Sequence, residues 1–402
     1  PRVVEYFHYV EDAYSHLAAQ ALEALLERYD IELLCHLVGT PPGDNAPEPK
    51  MLLGLARYDA FHVAPAYGLQ FPEHQHPPEP ALVQLAASIL AAQDTVGFVV
   101  CAAAVGQALW SDDAVELDRL AGLHGRATDA EVQSKIAGGN ARRDDLGHYS
   151  GAMLHYGGEW YWGVDRLYHL ENRLQDLGAD RSAGEPLLYP RPEIENGPLQ
   201  DSGTLTLEFF PTLRSPYTSI VFDRVVKLAL DTGVTLVVRP VLPMIMRGVP
   251  TTVVKGKYIY SDTAREARAA GVPFGKIYDS IGEPVRRAYS LYPWACAQGQ
   301  GNEFLSAFLR SVFARRVNTN NDRGMRRVIE EAGLNWSEAK GVIGTPGWED
   351  MVETNRLALY RVGIWGTPSF RLLRGGDEQV LALWGQDRLW LIAREIQRQL
   401  AA

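Results

Sequence analysis

An internal repeat restricts the fold of this chain more than any other feature. The run Glu5-Tyr6-Phe7-His8-Tyr9-Val10-Glu11-Asp12-Ala13-Tyr14 returns 203 residues later as Glu208-Phe209-Phe210-Pro211-Thr212-Leu213-Arg214-Ser215-Pro216-Tyr217. The same offset relates Asp59 to Asp262 and Phe71 to Phe274. Near the ends of the copies, Trp162-Gly163-Val164-Asp165-Arg166-Leu167 answers to Trp384-Gly385-Gln386-Asp387-Arg388-Leu389 at an offset of 222, with longer loops in the second copy absorbing the growth. A repeat of this length means two copies of one folding unit. Gly178 to Gly203, with Pro186, Pro190, Pro192 and Pro198 among polar residues, has the composition of a linker. The expected division is a first domain over 1–178, a linker over 179–203 and a second domain over 204–402.

Each copy reads in the same order. A strand leads into a helix (15–29; 218–232) and then a second strand (31–38; 235–241). A mostly helical stretch follows, with apolar residues at helical spacing in 82–90 and 304–313. A strand hairpin (151–162; 369–384) and a closing amphipathic helix (166–177; 388–400) complete the unit. Periodicity alone predicts an α/β fold, duplicated.

Composition narrows the partners. The formal net charge is −10 and no dense Lys/Arg run occurs, which argues against nucleic acid or an anionic membrane. No apolar run approaches the roughly 20 residues of a membrane span. The chain enters a strand-like stretch at once, without the basic region and apolar core of a secretory leader, so the expected compartment is the cytoplasm. Cys35, Cys101 and Cys296 are far apart and form no Cys-x-x-Cys pair, which opposes a disulfide framework or a zinc ribbon. Each sits among small or apolar residues and is expected to be a buried structural thiol.

The candidate chemistry lies in the second copy. Ser215-Pro216-Tyr217 stands at a strand-to-helix junction, where serine is a good N-cap and proline suits the first turn. Capping alone would explain both residues. A helix N-terminus also favours negative charge, and a hydroxyl there can hold a thiolate. Gly366-Thr367-Pro368 opens a later strand, and Trp384-Gly385-Gln386-Asp387-Arg388 begins the last helix, where Asp387 could accept from an ammonium group.

With these motifs in place, and with Lys255-Gly256-Lys257-Tyr258, Asp262 and Gly271-Val272-Pro273 between them, most of 204–400 resembles the 2-hydroxychromene-2-carboxylate isomerases and kappa-class glutathione transferases. These are a DsbA-like branch of the thioredoxin superfamily. The resemblance implies two tandem thioredoxin-like domains, each with an inserted helical subdomain, and glutathione as cofactor. It gives Ser215 the role of holding the glutathione sulfur, with Thr218 where a second redox cysteine would stand. Pro368 is expected to be cis, with Thr367 offering its backbone to the cysteinyl unit. Gln386 and Asp387 would hold the γ-glutamyl end, and Lys255 a terminal carboxylate. Met246 stands where the family usually has an asparagine, with Arg247 beside it. The implied activity is a glutathione-dependent isomerisation or transfer on an electrophilic aromatic or unsaturated small molecule. The alternatives are a non-catalytic binding or scaffold protein and a thiol-disulfide oxidoreductase, which would need a cysteine at position 215.

The first copy departs from this pattern. Asp12 aligns with Ser215, Ala13 with Pro216 and Ala152 with Pro368. A carboxylate would repel a thiolate, and Ala152 lacks the proline that makes a cis bond cheap. The first domain therefore reads as degenerate, kept as one half of an intrachain pseudo-dimer, with a homo-oligomer also open. No metal site is expected: His74-Gln75-His76 lies in a Pro-rich loop without a third ligand. Gly299-Gln300-Gly301 reads as a turn. Tyr289, Tyr292 and Trp294 could be core or could line a substrate pocket.

Overall fold

The computed structural model describes residues 2–73 and 76–402. The chain divides into two units, Pro1–Pro192 and Glu193–Ala402, so the boundary falls within the Pro-rich stretch. The first unit runs β1 (Val3–His8), α1 (Ala13–Arg28), β2 (Glu32–Leu37), then five helices, α2 (Pro49–Val63), α3 (Pro80–Ala91), α4 (Thr95–Trp110), α5 (Ala114–His124) and α6 (Asp129–Asp145). It closes with β3 (Met153–Tyr156), β4 (Glu159–Trp162) and α7 (Leu167–Asp176). The second unit repeats this as β5 (Leu205–Phe210), α8 (Pro216–Thr232) and β6 (Thr235–Val238). Its insert holds six helices: α9 (Val253–Ala270), α10 (Glu283–Ala297), α11 (Gly301–Phe313), α12 (Asp322–Glu331), α13 (Trp336–Val342) and α14 (Trp348–Arg361). Strands β7 (Ser369–Arg374) and β8 (Glu378–Trp384) and helix α15 (Leu389–Ala401) complete it.

The two sheets have the same order, β2-β1-β3-β4 and β6-β5-β7-β8, with one parallel pair and two antiparallel pairs each. This is the β-α-β, helical insert, β-β-α order of a thioredoxin fold carrying a helical subdomain. Both hairpins turn on two glycines with positive φ, Gly157 and Gly158 (55° and 81°) in a two-residue loop, and Gly375 and Gly376 (61° and 97°), which Asp377 extends to a three-residue loop.

The repeat is chemical as well as topological. The central strands each bury a glutamate, Glu5 and Glu208, beneath cations from neighbouring elements. Glu5 accepts from Arg142 and pairs with His36, and these partners hold its carboxyl below the usual range despite burial. Glu208 pairs with Arg239 and Arg371. Likewise Tyr14 donates to Asp59 Oδ2 and Tyr217 to Asp262 Oδ2, each at 2.8 Å, joining the first helix of each unit to the first helix of its insert.

The connecting stretch is bound along its length. Arg28 reaches Asp180 and the carbonyls of Ser182, Glu185 and Pro186, and buried Glu171 accepts from the amides of Leu188 and Tyr189. Farther on, Asn196 donates to Asp231, and Leu199 exchanges hydrogen bonds with Gln397. Gly299-Gln300-Gly301 is the turn between α10 and α11, with Gly299 at φ 74°. Tyr289 and Tyr292 are core, and Trp294 is half-buried.

Candidate active site

Sheet register gathers the candidate residues of the second unit. Phe210 pairs with Ser369 and Ser369 with Trp384, so the 211–215 loop, the Thr367–Pro368 turn and the Gly385–Arg388 turn all leave the sheet at one end. Strand β6 runs parallel to β5, and Val241 N donates to Pro211 O at 2.9 Å, which brings the loop after β6 to the same end.

Ser215 caps α8: its Oγ accepts from Thr218 N at 3.2 Å. The residue is half-buried, and among the described residues no acceptor takes its hydroxyl proton. Helix α8 has 17 residues and no acidic residue in its first turn, so the positive end of its dipole is left for whatever approaches. Thr218, in the place of a second redox cysteine, is fully buried, and its Oγ1 accepts from Thr212 N at 3.4 Å. The Thr367–Pro368 bond is cis. Pro368 O accepts from Gly385 N at 2.9 Å, and among the described residues Thr367 has no backbone hydrogen bond, which leaves a short free edge of chain.

Lys255 lies in the first turn of α9 with its ammonium 5.7 Å from the Trp365 ring centre. Trp365 packs edge-on to Trp384 at 4.8 Å. This contact joins α9, the proline turn and the end of β8. Burial pushes the Lys255 amine down to about 8. Gln386 and Asp387 sit in a turn packed against α8. Gln386 is buried with Nε2 donating to Glu266 Oε2 at 2.6 Å, whereas Asp387 is half-buried beside Arg388. Met246 and Arg247 belong to the helical turn Met244–Arg247, and Arg247 Nε donates to Leu242 O at 3.0 Å. Sequence reasoning gave no part to Trp365 or Glu266. Trp365 adjoins the Gly-Thr-Pro motif and could have been found there; nothing local marks Glu266 as the partner of Gln386, 120 residues away.

The equivalent end of the first unit is closed on itself. Asp12 caps α1, accepting from Tyr14 N, Ser15 N and Ser15 Oγ at 3.2, 3.2 and 2.9 Å. Burial raises its carboxyl to about 6 against these hydrogen bonds. Ser15 Oγ in turn accepts from Tyr9 N at 3.1 Å. Ala152 adopts the left-handed φ of 54° while fully buried, where the second unit has its proline. A Cβ on neighbouring Gly151 would fall 2.6 Å from Tyr9 Cβ.

The cysteines correct one expectation. Only Cys101 is buried; Cys35 is half-buried in β2, and Cys296 is exposed on the last turn of α10, with its sulfur against Gly301. Small and apolar sequence neighbours do not say which face of a helix a residue takes. Burial raises all three thiols above their ordinary value. Among the described residues no three His, Cys, Asp or Glu side chains gather as metal ligands. His74 and Gln75 lie outside the described residues. Among the described residues no helix is long and apolar enough to cross a membrane.

Residues 206–397 match the family model of the DSBA-like thioredoxin domain. The second unit is a DSBA-like thioredoxin domain. Among solved structures, one similar to this chain is a 2-hydroxychromene-2-carboxylate isomerase, 19% identical, covering 48% of this chain and 95% of its own, with a TM-score of 0.41. Another is the cytosolic disulfide reductase DsbM from Pseudomonas aeruginosa, 21% identical, covering 48% and 99%, with a TM-score of 0.38. No curated protein matches the chain.

Proposed function

We propose that this DSBA-like domain binds glutathione and uses Ser215 to hold its sulfur as a thiolate for reversible addition to an electrophilic, unsaturated or aromatic small molecule. The observation that carries the reading is the Ser215 hydroxyl. It is half-buried at the uncompensated N-terminus of α8, its proton has no acceptor among the described residues, and it shares a sheet end with the cis Thr367–Pro368 turn. A hydroxyl donor and a helix dipole both favour the ionised thiol. The thiolate lone pair forms a C–S bond to the acceptor carbon as the π pair moves onto the conjugated carbonyl oxygen. Rotation about the new single bond, then return of the pair, expels the thiolate and restores the double bond, giving isomerisation. Protonation of the adduct instead gives conjugation.

In this reading Thr367 pairs with the cysteinyl backbone, Asp387 accepts from the γ-glutamyl ammonium and Lys255 meets a carboxylate. The Gln386 contribution is to fix the turn through Glu266 rather than to reach outward. A thiol-disulfide exchange role is disfavoured because Ser215 and Thr218 replace both redox cysteines. Three free cysteines suit a reducing compartment such as the cytoplasm, where glutathione is abundant. The test is titration with glutathione followed by ultraviolet absorbance of the bound thiolate. Ser215→Ala is expected to remove a charge-assisted hydrogen bond of about 1.5–3 kcal/mol, raise the bound thiol's pKa and leave the fold intact. Unchanged thiolate absorbance in the variant would remove Ser215 from the chemistry.

A further inference from the structure

Along β2, the edge strand of the first unit's sheet, lies a cleft of about 700 Å³. Strand β2 lines it with Cys35 and Leu37, and the end of α3 with Ala91 and Ala92. The α5–α6 connection adds Arg126 and Ala127, and α6 turns one face toward it, residues 131, 134, 135, 138 and 139. Its size suits a small organic molecule. Hydrogen bonds fix the walls to one another. Ala127 N donates to Ser88 O at 2.9 Å and Gln93 Nε2 to His124 O at 2.9 Å. Gly39 N donates to Asn140 Oδ1 at 3.0 Å and Cys35 N to Thr95 Oγ1 at 3.3 Å. The opening is built into the folded unit.

The second unit covers the matching ground with its own chain. Element order pairs α10, α12 and α14 with α3, α5 and α6. Between α12 and α14 stands α13, which packs against α10 and α12, and Gly344 N beyond it donates to Ser290 Oγ of α10 at 2.9 Å. The first unit crosses from α5 to α6 in the four residues 125–128 and has no such helix. Helix α6 is also pared back. Gly138 and Gly139 stand together in its middle, where glycine weakens a helix. Packing accounts for Gly139, whose Cβ would fall 1.9 Å from Leu37 O, but a Cβ at Gly138 would meet nothing within 4 Å. Gly138 instead keeps bare backbone facing the cleft.

The charge left over at the rim is positive. Lys135 is exposed and has no ion pair among the described residues. Arg126 meets Asp118 at 2.7 Å in a solvent-exposed pair, which exchanges partners at little cost. Glu131 is already spent on the Thr128 amide and hydroxyl at 2.7 and 2.8 Å, and His36 on Glu5 at 2.9 Å.

We propose that this cleft binds a small organic acid of one or two flat rings. The body of the acid lies on Ala91, Ala127 and the bare turn at Gly138, and its carboxylate lies between Lys135 and Arg126. The site belongs to the first unit alone and is independent of the chemistry at Ser215.

The test titrates 2-naphthoate and its neutral isostere 2-naphthamide calorimetrically into the full-length protein. The acid is expected to bind at least about tenfold more tightly than the amide. Lys135→Gln, on an exposed side chain, is expected to remove most of that difference. Gly138→Leu fills the cleft from a position with open space around it. It is expected to weaken both ligands at least about tenfold and to leave the melting temperature no lower. Equal binding of acid and amide, no binding of the acid, or an acid preference untouched by Lys135→Gln would overturn the proposal. So would unchanged binding in Gly138→Leu, which would place the acid elsewhere, or early melting of that variant, which would show that packing needs the glycine.

Discussion

At the head of α1 a carboxylate closes the helix, and at the head of α8 a hydroxyl does. Both are competent caps, so both units keep the fold, and the difference appears only in what the cap leaves over. Asp12 takes three hydrogen bonds from its own chain, one of them the Ser15 hydroxyl proton, and adds negative charge where a sulfur anion would sit. Ser215 takes one amide and keeps a proton to give. The divergence extends through the units. All ten histidines lie in the first, which carries 27 acidic against 13 basic residues, while the second has 22 against 26 and no histidine. A duplicated scaffold can thus hold its topology constant while the electrostatics of its two halves separate.

The largest expected effect follows from those histidines. His8, His16 and His148 are buried, and burial lowers them from 6.5 to about 3, 4 and 3. In the pH interval between those values and 6.5 the unfolded chain binds more protons than the folded one. Their contribution is therefore complete above pH 6.5 and lost as the pH falls through that interval. Asp12 and buried Glu171 act oppositely, since their raised values favour folding as the pH falls, but burial also lowers His36 and His155, so two carboxyls oppose five imidazoles. Hydrogen exchange on the whole chain should show first-unit amides losing protection before those of the second unit as acid is added. Simultaneous loss would break the comparison.

Next in size is ligand stoichiometry. One glutathione per chain is expected, and Ser215→Ala should weaken thiolate stabilisation by about 1.5–3 kcal/mol while Asp12→Ala leaves glutathione affinity unaltered. Two equivalent sites by titration would show that the first unit retains a pocket. Smaller, and alike in the two units, is the loss from Tyr14→Phe or Tyr217→Phe, about 1–3 kcal/mol each for leaving a buried aspartate short of a donor. Thermal melts that differ widely between the variants would mean that the matching geometry hides unequal surroundings. The smallest expected effect is none: reduction of insulin disulfides should stay at background, because no cysteine stands at position 12, 15, 215 or 218.

The fold was legible because the repeat supplied each element twice. Periodicity and the glycine pairs located both hairpins, and Ser215, Pro216 and Thr367–Pro368 stood out because capping and strand-opening residues act within a few positions of themselves. Contacts across the insert were not legible. The Glu266 bond to Gln386 and the approach of Trp348 to Tyr289 depend on how helices pack, and no local pattern records that. The exposure of Cys296 escaped for a similar reason, since a residue's neighbours in sequence do not define the face it occupies.

The closure around Gly151 bears on how such a domain can evolve. Asp12, Ser15, Tyr9 and the left-handed Ala152 fit one another, and Gly151 has no room for the side chain that Thr367 carries at the matching place. Serine at position 12 alone would therefore not reproduce the second unit's arrangement, and placing threonine and proline at 151 and 152 would drive the new side chain into Tyr9. Each of these changes is penalised until the others are made. A change toward the second unit's arrangement would therefore have to alter Asp12, Gly151 and Ala152 together, with room made at Tyr9.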